Sequence, residues 1–231
     1  MRVFRSHPPS PVAKRKAQLP VVIVGTGPEA RQVADTLEAL GLVVYGYLQP
    51  ERTGTGSPEP INDIPVLGAL TDPAYRKMLA AEQLDYVIAQ ADGAVRKKFA
   101  ADLFALTSRH PYTLVHPSAS VAPSAQLLAG CYVGPQAVVG PNAQLGTLVW
   151  VGPQAGIAPD AQVADYATLG PAAQVGPGAQ LAEFVLLGQG ALVAQGVSVG
   201  PRAKVGVGSV VVQSVAAGAA VFGVPAAPLG N

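Results

Sequence analysis

From Val115 onward the chain reads in sixes. The hexads run VHPSAS, VAPSAQ, LLAGCY, VGPQAV, VGPNAQ, LGTLVW and so on to VVQSVA, which ends at Ala216. These 102 residues make seventeen hexads without an insertion. The first position is always Val, Leu or Ile. The fifth is mostly Ala and otherwise Cys131, Val149, Val185, Val197, Ser209 or Val215. A helix would repeat its apolar residues every three or four positions and a half-buried strand would alternate. A strict six fits neither. It fits a short strand followed by a corner, three to a coil, with the aliphatic first residue pointing inward and the small fifth residue fitting close under a neighbouring face. Gly-Pro pairs at the second and third positions, such as Gly134-Pro135 and Gly170-Pro171, predict the corners, because proline presets φ and glycine tolerates unusual φ. With parallel strands ~4.8 Å apart, five to six coils make a prism roughly 27 Å tall. The nonapeptide calcium repeat is absent, and threonines are too few for a flat threonine array.

Upstream the rhythm changes. Strands are expected at Leu19 to Val24, Leu42 to Leu48 and Asp85 to Gln90, and helices at Pro28 to Leu40, Ala74 to Glu82 and Val95 to Thr107. Within the first helix Val33, Leu37 and Leu40 share one face. Alternating strand and helix implies a parallel sheet. The expected fold class is therefore an α/β Rossmann-like domain followed by an all-β solenoid. The expected boundaries are a flexible tail over 1–18, the α/β domain over 19–113 and the solenoid over 114–231.

Composition sharpens that division. Apolar residues make up 49% of the 231 and charged residues 13%, which argues against a disordered chain. From Val115 the only charged side chains are Asp160, Asp165, Glu183, Arg202 and Lys204, so the charge lies almost wholly upstream. A near-uncharged prism calls for burial of one face against other copies. A formal net charge of +1 gives no broad reason to expect nucleic acid or an anionic membrane. A single cysteine, Cys131, excludes an internal disulfide framework and suits a reducing cytoplasm; its fifth-position placement reads as a small buried thiol. No run of eighteen apolar residues suggests a membrane span, and no apolar stretch after Arg2 and Arg5 suggests a secretory signal. His7, His110 and His116 are too scattered for a metal site. His7 falls in the tail, His110 is expected exposed and His116 is expected to serve packing.

Candidate chemistry lies in both parts. Gly25-Thr26-Gly27 joins the first strand to the first helix, a turn that can hold phosphate on backbone N–H groups. The pattern is G-T-G-P-E-A, with Ala30 where a third glycine would stand, and the second strand ends Tyr47-Leu48-Gln49 without an acid for a ribose hydroxyl. A dinucleotide is thereby disfavoured. A sugar nucleotide and a plain tight turn both remain open.

The segments VVIVGTGPEARQVADTLEALG, IPVLGALTD, VIAQADGAVRKK, VHPSASVAPSA, VGVGSVVV and the closing GVPA resemble the NeuD/PglD-type acetyltransferases. These hexapeptide-repeat proteins modify sialic acids or nucleotide-linked amino sugars. The resemblance covers residues 20 to 231 and implies a left-handed β-helix, acetyl-CoA as cofactor and a homotrimer with the active site between neighbouring β-helices. By family position it implies that Gly188, Gly206, Gly208 and Pro225 bind the cofactor. Gly25, Gly27, Asp92 and Arg96 are implied to bind the substrate nucleotide, Arg96 by pairing with phosphate. Asp92 and Arg96 read equally as a helix N-cap and a solvated charge.

At the family's catalytic position the chain departs. The segment resembling the family's GAIIEHDCVI is Gln154 to Val163, and the histidine position holds Pro159. Ala158 replaces the preceding glutamate, and a second family histidine and an asparagine fall on Thr168 and Gly152. Removing a proton from an attacking amine or hydroxyl near neutral pH suits histidine, and proline has no titratable group. The catalytic residue is thus unassigned, with Asp160 as the fallback base. Two readings follow: an acetyltransferase acting on a nucleotide sugar with a rearranged base, and a non-catalytic trimeric relative serving in binding or scaffolding.

Overall fold

The structure, a computed structural model, describes residues 19–49 and 59–228. The tail over 1–18 lies outside them. The described chain divides into two compact units, 19–117 and 118–228.

The first unit is a four-stranded parallel sheet in the order β3-β2-β1-β4, formed by β1 (Val21–Val24), β2 (Val44–Gln49), β3 (Val66–Ala69) and β4 (Asp85–Ile88). Helices α1 (Pro28–Ala39), α2 (Pro73–Ala80) and α3 (Gly93–Thr107) connect and flank it. The expected alternation is present, with β3 added. That strand is four residues with a glycine at its centre and half-buried positions, so it carries too little apolar pattern to stand out. Helix α3 begins two residues before its expected start because Asp92 caps it, accepting from the N–H groups of Ala94 and Val95 at 2.7 and 3.2 Å. Asp72 caps α2 in the same way.

Two polar features hold the sheet's far end. Arg109 pairs with Asp85 at 3.0 Å, and its second terminal nitrogen donates to the carbonyls of Leu79 and Leu84 at 2.9 Å each. The Tyr86 hydroxyl donates to the Arg109 carbonyl. Tyr47 differs: its ring is wholly buried and its hydroxyl has no partner among the described residues. Burial, with Asp35 and Glu38 nearby, raises its pKa above the ordinary tyrosine value.

The second unit is a left-handed parallel β-helix of three faces. The first face stacks Ser120–Val121, Val138–Val139, Gly156–Ile157, Gln174–Val175, Leu192–Val193 and Val210–Val211. The second stacks Gln126–Leu127, Gln144–Leu145, Gln162–Val163, Gln180–Leu181 and Ser198–Val199. The third stacks Tyr132–Val133, Trp150–Val151, Thr168–Leu169, Leu186–Leu187, Lys204–Val205 and Ala220–Phe222. Partners lie eighteen residues apart, as in Gln144↔Gln162 and Trp150↔Thr168. The aliphatic first positions from Val133 to Val211 and the alanines at fifth positions fill the interior. Cys131 is among them, its thiol donating to the Gly146 carbonyl at 3.1 Å.

Two details correct the sequence reading. The repeat does not run unbroken to Ala216. Spacing holds through Val193↔Val211 and then shortens by two, to Val199↔Val215 and Lys204↔Ala220. The last coil tightens where Gln213-Ser214 replaces a full corner. Nor do the second-position glycines supply the left-handed backbone. That conformation sits at the fourth position, at Gln136, Asn142, Leu148, Gln154, Asp160, Tyr166, Phe184 and Arg202, with φ between 56° and 62°. The second-position glycine is needed for space: a Cβ on Gly170 would lie 2.8 Å from the backbone nitrogen of Gln189 in the next coil.

These geometries set the cost of substitution. Gly178 has φ +63° but open space around it, so Gly178→Ala should cost about 1 kcal/mol of αL strain. Gly170→Ala should cost at least twice as much, because backbone must separate; paired thermal melts compare the two. Tyr47→Phe removes a hydroxyl whose unmet desolvation costs roughly 1–3 kcal/mol. It should leave the melting temperature unchanged or raise it, and a fall in a denaturant titration would show a hidden partner.

Candidate functional site

In the first unit, β1 has β2 on one side and β4 on the other, and the chain leaves β1 toward β2 before returning to β4. Strand order therefore reverses between β1 and β4, and ligands of open α/β sheets bind beyond the carboxyl ends of strands at such a point. Gly25 follows β1 there, with φ +134°. A Cβ on it would strike the Ala89 carbonyl oxygen beyond β4 and lie 3.4 Å from Gln90 Nε2. Only glycine lets the two strand ends approach this closely. Gly27 is the N-cap of α1 and, having no side chain, leaves the first amides of that helix without a side-chain cap. Glu29, in the first turn, brings its carboxylate to 3.1 Å from the position a Gly27 Cβ would take.

Asp92 and Arg96 meet at the neighbouring helix start. Asp92 is the α3 N-cap. Arg96 is not a solvated charge. It is 1% exposed, and its Nη1 donates to the carbonyls of Gln90 and Ala91 at 2.8 and 2.7 Å. The guanidinium thus holds the β4–α3 turn against the Gly25 turn. Gln90, which the sequence did not mark out, comes forward in its place as a polar side chain beside the glycine.

In the second unit each edge of the prism has its own character. Along the third–first edge the second hexad positions are Gly134, Gly152, Gly170, Gly188 and Gly206, an unbroken column of glycines. Gly188 lies under Gly206, whose carbonyl carbon would be 2.8 Å from a Gly188 Cβ, and the Gly208 N–H donates to the Gln189 carbonyl at 2.8 Å. Gly190 and Gly208 face open space. The upper part of this edge therefore has open backbone at Gly190 and Gly208, with the exposed side chains of Gln189 and Val207 between them. The closing strand (Ala220–Phe222) lays the Phe222 ring over Gly206. After it Gly223 donates to Ser209 Oγ at 3.1 Å, and Pro225 follows in the terminal turn. Gly188, Gly206 and Gly208 share this edge, with Pro225 beyond its capping ring. The role of Phe222 was illegible in the repeat, because it follows the shortened coil.

The first–second edge carries Pro159. It stacks in the column Pro123, Pro141, Pro159 and Pro177, and its carbonyl accepts from the Gly178 N–H at 3.0 Å. Asp160 is exposed at φ +60°, and its Oδ1 accepts from Asn142 Nδ2 at 3.1 Å. Gly152 belongs to the glycine edge, while Thr168 stands buried on the third face beside Trp150, its strand partner. Gln174 folds its carboxamide into the space over Gly156, donating to the Gln154 carbonyl at 3.3 Å. His110 packs on the Phe104 ring at 4.8 Å between centroids, and His116 is half-buried in the first unit. Among the described residues no three His, Cys, Asp or Glu side chains gather as metal ligands, and no helix is long and apolar enough to cross a membrane.

No protein-family profile and no curated protein matches the chain. Solved structures do. PerB from Caulobacter crescentus, a GDP-perosamine N-acetyltransferase seen with CoA and GDP-perosamine, is 29% identical over 93% of this chain and 99% of its own, with a TM-score of 0.83. The acetyltransferase domain of PglB from Neisseria gonorrhoeae, seen with acetyl coenzyme A, is 28% identical over 92% of this chain and 100% of its own, with a TM-score of 0.82. WeeI from Acinetobacter baumannii AYE, at 19% identity and a TM-score of 0.60, shares the fold. PerB and the PglB domain are sugar N-acetyltransferases of the hexapeptide-repeat family, in agreement with the resemblance carried by the sequence motifs.

The helix starts beyond β1 and β4 separate two kinds of polar residue. Asp92→Ala should remove one cap, at about 1 kcal/mol. Arg96→Met should lower the melting temperature further, since the turn loses its internal tie; a melting temperature no lower than that of Asp92→Ala would show that the guanidinium does not hold the turn.

Proposed function

We propose that this protein is a homotrimeric, acetyl-CoA-dependent acetyltransferase that acts on a nucleotide-linked sugar. The observation that carries the reading is the upper part of the glycine edge, where Gly190 and Gly208 are exposed with open space about them and Phe222 closes over Gly206. A long, thin cofactor arm suits such a strip, where the backbone can be approached closely. PerB and the PglB domain, seen with CoA or acetyl-CoA, support the same ligand here. The nucleotide suits the crevice beyond β1 and β4, where Gly25 lets the strand ends close together, Gly27 heads α1 without a side-chain cap and Arg96 fixes the facing turn.

The three faces support association with further copies. On the first face Val138 and Leu192 point outward, 50% and 39% exposed. The second presents glutamines 126, 144, 162 and 180 in register. On the third, Tyr132, Trp150 and Thr168 are already buried. Val138 and Leu192 on the first face and Leu186 on the third leave apolar side chains to be covered.

Acetyl-CoA, when bound, supplies an acetyl group activated as a thioester. What the chain must provide is orientation and a destination for the acceptor's proton. On the Pro159 edge Asp160 is the one titratable group, and its bond from Asn142 orients the carboxylate without neutralising it. Asp160 is the proton acceptor in this reading. A second reading, a binding or scaffold protein without catalysis, is favoured by Pro159 itself, which continues a proline column and packs as an ordinary corner.

Calorimetry with acetyl-CoA and with GDP- and UDP-linked amino sugars, followed by thiol release on mixing, separates these readings. Both ligands should bind and thiol should appear slowly. Asp160→Asn should abolish it, and Pro159→His should raise it about 100-fold, the low end of what a positioned general base contributes. Failure to bind acetyl-CoA overturns the proposal. Binding of both ligands with no thiol release, even in Pro159→His, establishes the scaffold.

A further inference from the structure

The third edge of the prism, between the second and third faces, is unlike the other two. Of the five charged side chains beyond Ser118, four, Asp165, Glu183, Arg202 and Lys204, stand on it or beside it. At the fourth hexad position it carries Leu148, Tyr166, Phe184 and Arg202 in successive coils, each with a left-handed backbone. The Tyr166 and Phe184 rings stack at 4.9 Å between centroids and 16° between planes. The Arg202 guanidinium carbon lies 4.5 Å above the Phe184 ring centre. Planar groups thus follow one another at the spacing of the coils, and the column ends in a cation.

The lower members are spoken for. Leu148 is buried, and Asp165 Oδ1 accepts from the Thr147 N–H at 2.6 Å. The upper end opens. The coil above Arg202 reads Ala216-Ala217-Gly218-Ala219-Ala220. The Gly218 N–H donates to the Pro201 carbonyl at 2.8 Å, which sets Gly218 over Arg202, and a Cβ there would meet nothing within 4 Å. Lys204, one strand position on, pairs in register with Ala220. Arg202 and Lys204 are both exposed. Two cations on one coil therefore lie beneath a five-residue stretch with no side chain larger than a methyl group.

We propose that this end of the edge is a purine nucleotide site: the base stacks on the free face of Arg202, continuing the Tyr166–Phe184–Arg202 column, and the phosphate pairs with Lys204. A guanidinium with one face on an aromatic ring offers its other face to a second π system. The second cation on the same coil calls for an anion on the ligand, which an aromatic peptide side chain lacks. The site is on a different edge from both the glycine column and Pro159, and it does not rest on the acetyltransferase reading. Its nucleotide can be free or the adenosine phosphate of a larger carrier, which the test distinguishes.

The test is calorimetry on the full chain with ADP, adenosine, inorganic pyrophosphate and acetyl-CoA. ADP should bind, and Arg202→Ala should weaken it at least tenfold, as loss of one base-stacking contact would. Lys204→Ala should weaken ADP and leave adenosine unchanged. Gly218→Phe, which places a ring where the base would stack at a backbone angle Phe184 already adopts, should abolish this binding while the protein keeps its fold by circular dichroism. A nucleotide bound at the β1–β4 crevice survives all three variants, so the two readings fail separately. Acetyl-CoA competing for the heat lost in Gly218→Phe identifies the carrier-borne source, and ADP binding without such competition identifies the free nucleotide. An ADP isotherm unchanged by both Arg202→Ala and Gly218→Phe overturns the proposal, as does pyrophosphate binding as tightly as ADP.

Discussion

Everything in the second unit depends on coil lying on coil, at an eighteen-residue interval until the last coil. The strands are two or three residues long and could not persist alone. They exist because their N–H groups donate to the coil above, as Tyr132 does to Val149 and Gly134 to Val151 at 3.0 and 2.9 Å. Parallel pairing of this kind makes stability a sum over neighbouring coils, so the interior must have the same cross-section in every coil. That is why the first hexad position is confined to Val, Leu and Ile and the fifth to small or β-branched residues. It is also why a methyl group on Gly170 is a larger disturbance than a strained angle at Gly178. The first forces two coils apart, whereas the second stays within one corner.

The same constraint frees the edges. A fourth-position side chain leaves the prism and meets only its counterparts eighteen residues away, so its identity is set by column rather than by core. One edge is stripped to glycine, one repeats proline, and one collects the aromatic and charged residues. Three surfaces with different chemistry arise from one repeat without altering the interior. The glycine edge keeps its upper end open at Gly190 and Gly208. On the proline edge Pro159 keeps the corner geometry of Pro141 and Pro177, so the chemistry beside that corner can change with no cost to folding.

Much of this was legible in the residues. The six-residue rhythm specified the solenoid, the coil length and the inward positions, since all three follow from the period alone. The alternation upstream gave the parallel sheet, and Gly25 marked the turn at its switch point. What escaped reading had local causes. β3 is short and glycine-centred, so its pattern is too weak. Arg96 looked like a surface charge because a helix residue near an N-cap is commonly solvated; its burial arises from a turn that folds back over it. The coil shortened at Gln213-Ser214 keeps valines on either side, so the hexad count passes over it, and Phe222 then reaches Gly206 from an unexpected register.

The column on the third edge shows where periodicity stops being a guide. In sequence, Tyr166, Phe184 and Arg202 are isolated residues eighteen apart, each an exception to a bland corner. Only stacking of the coils converts that interval into ring contact, and only the small residues of the shortened coil leave the last member uncovered. Bulky side chains in a left-handed conformation are costly, and simple corner formation would be served as well by the glycines at 178, 190 and 196. Placing three of them in one column, beneath a coil cleared to alanine and glycine, departs from what folding requires. The departure lies at the surface, where the repeat leaves composition unconstrained, and a binding role accounts for both the ladder and the clearing above it.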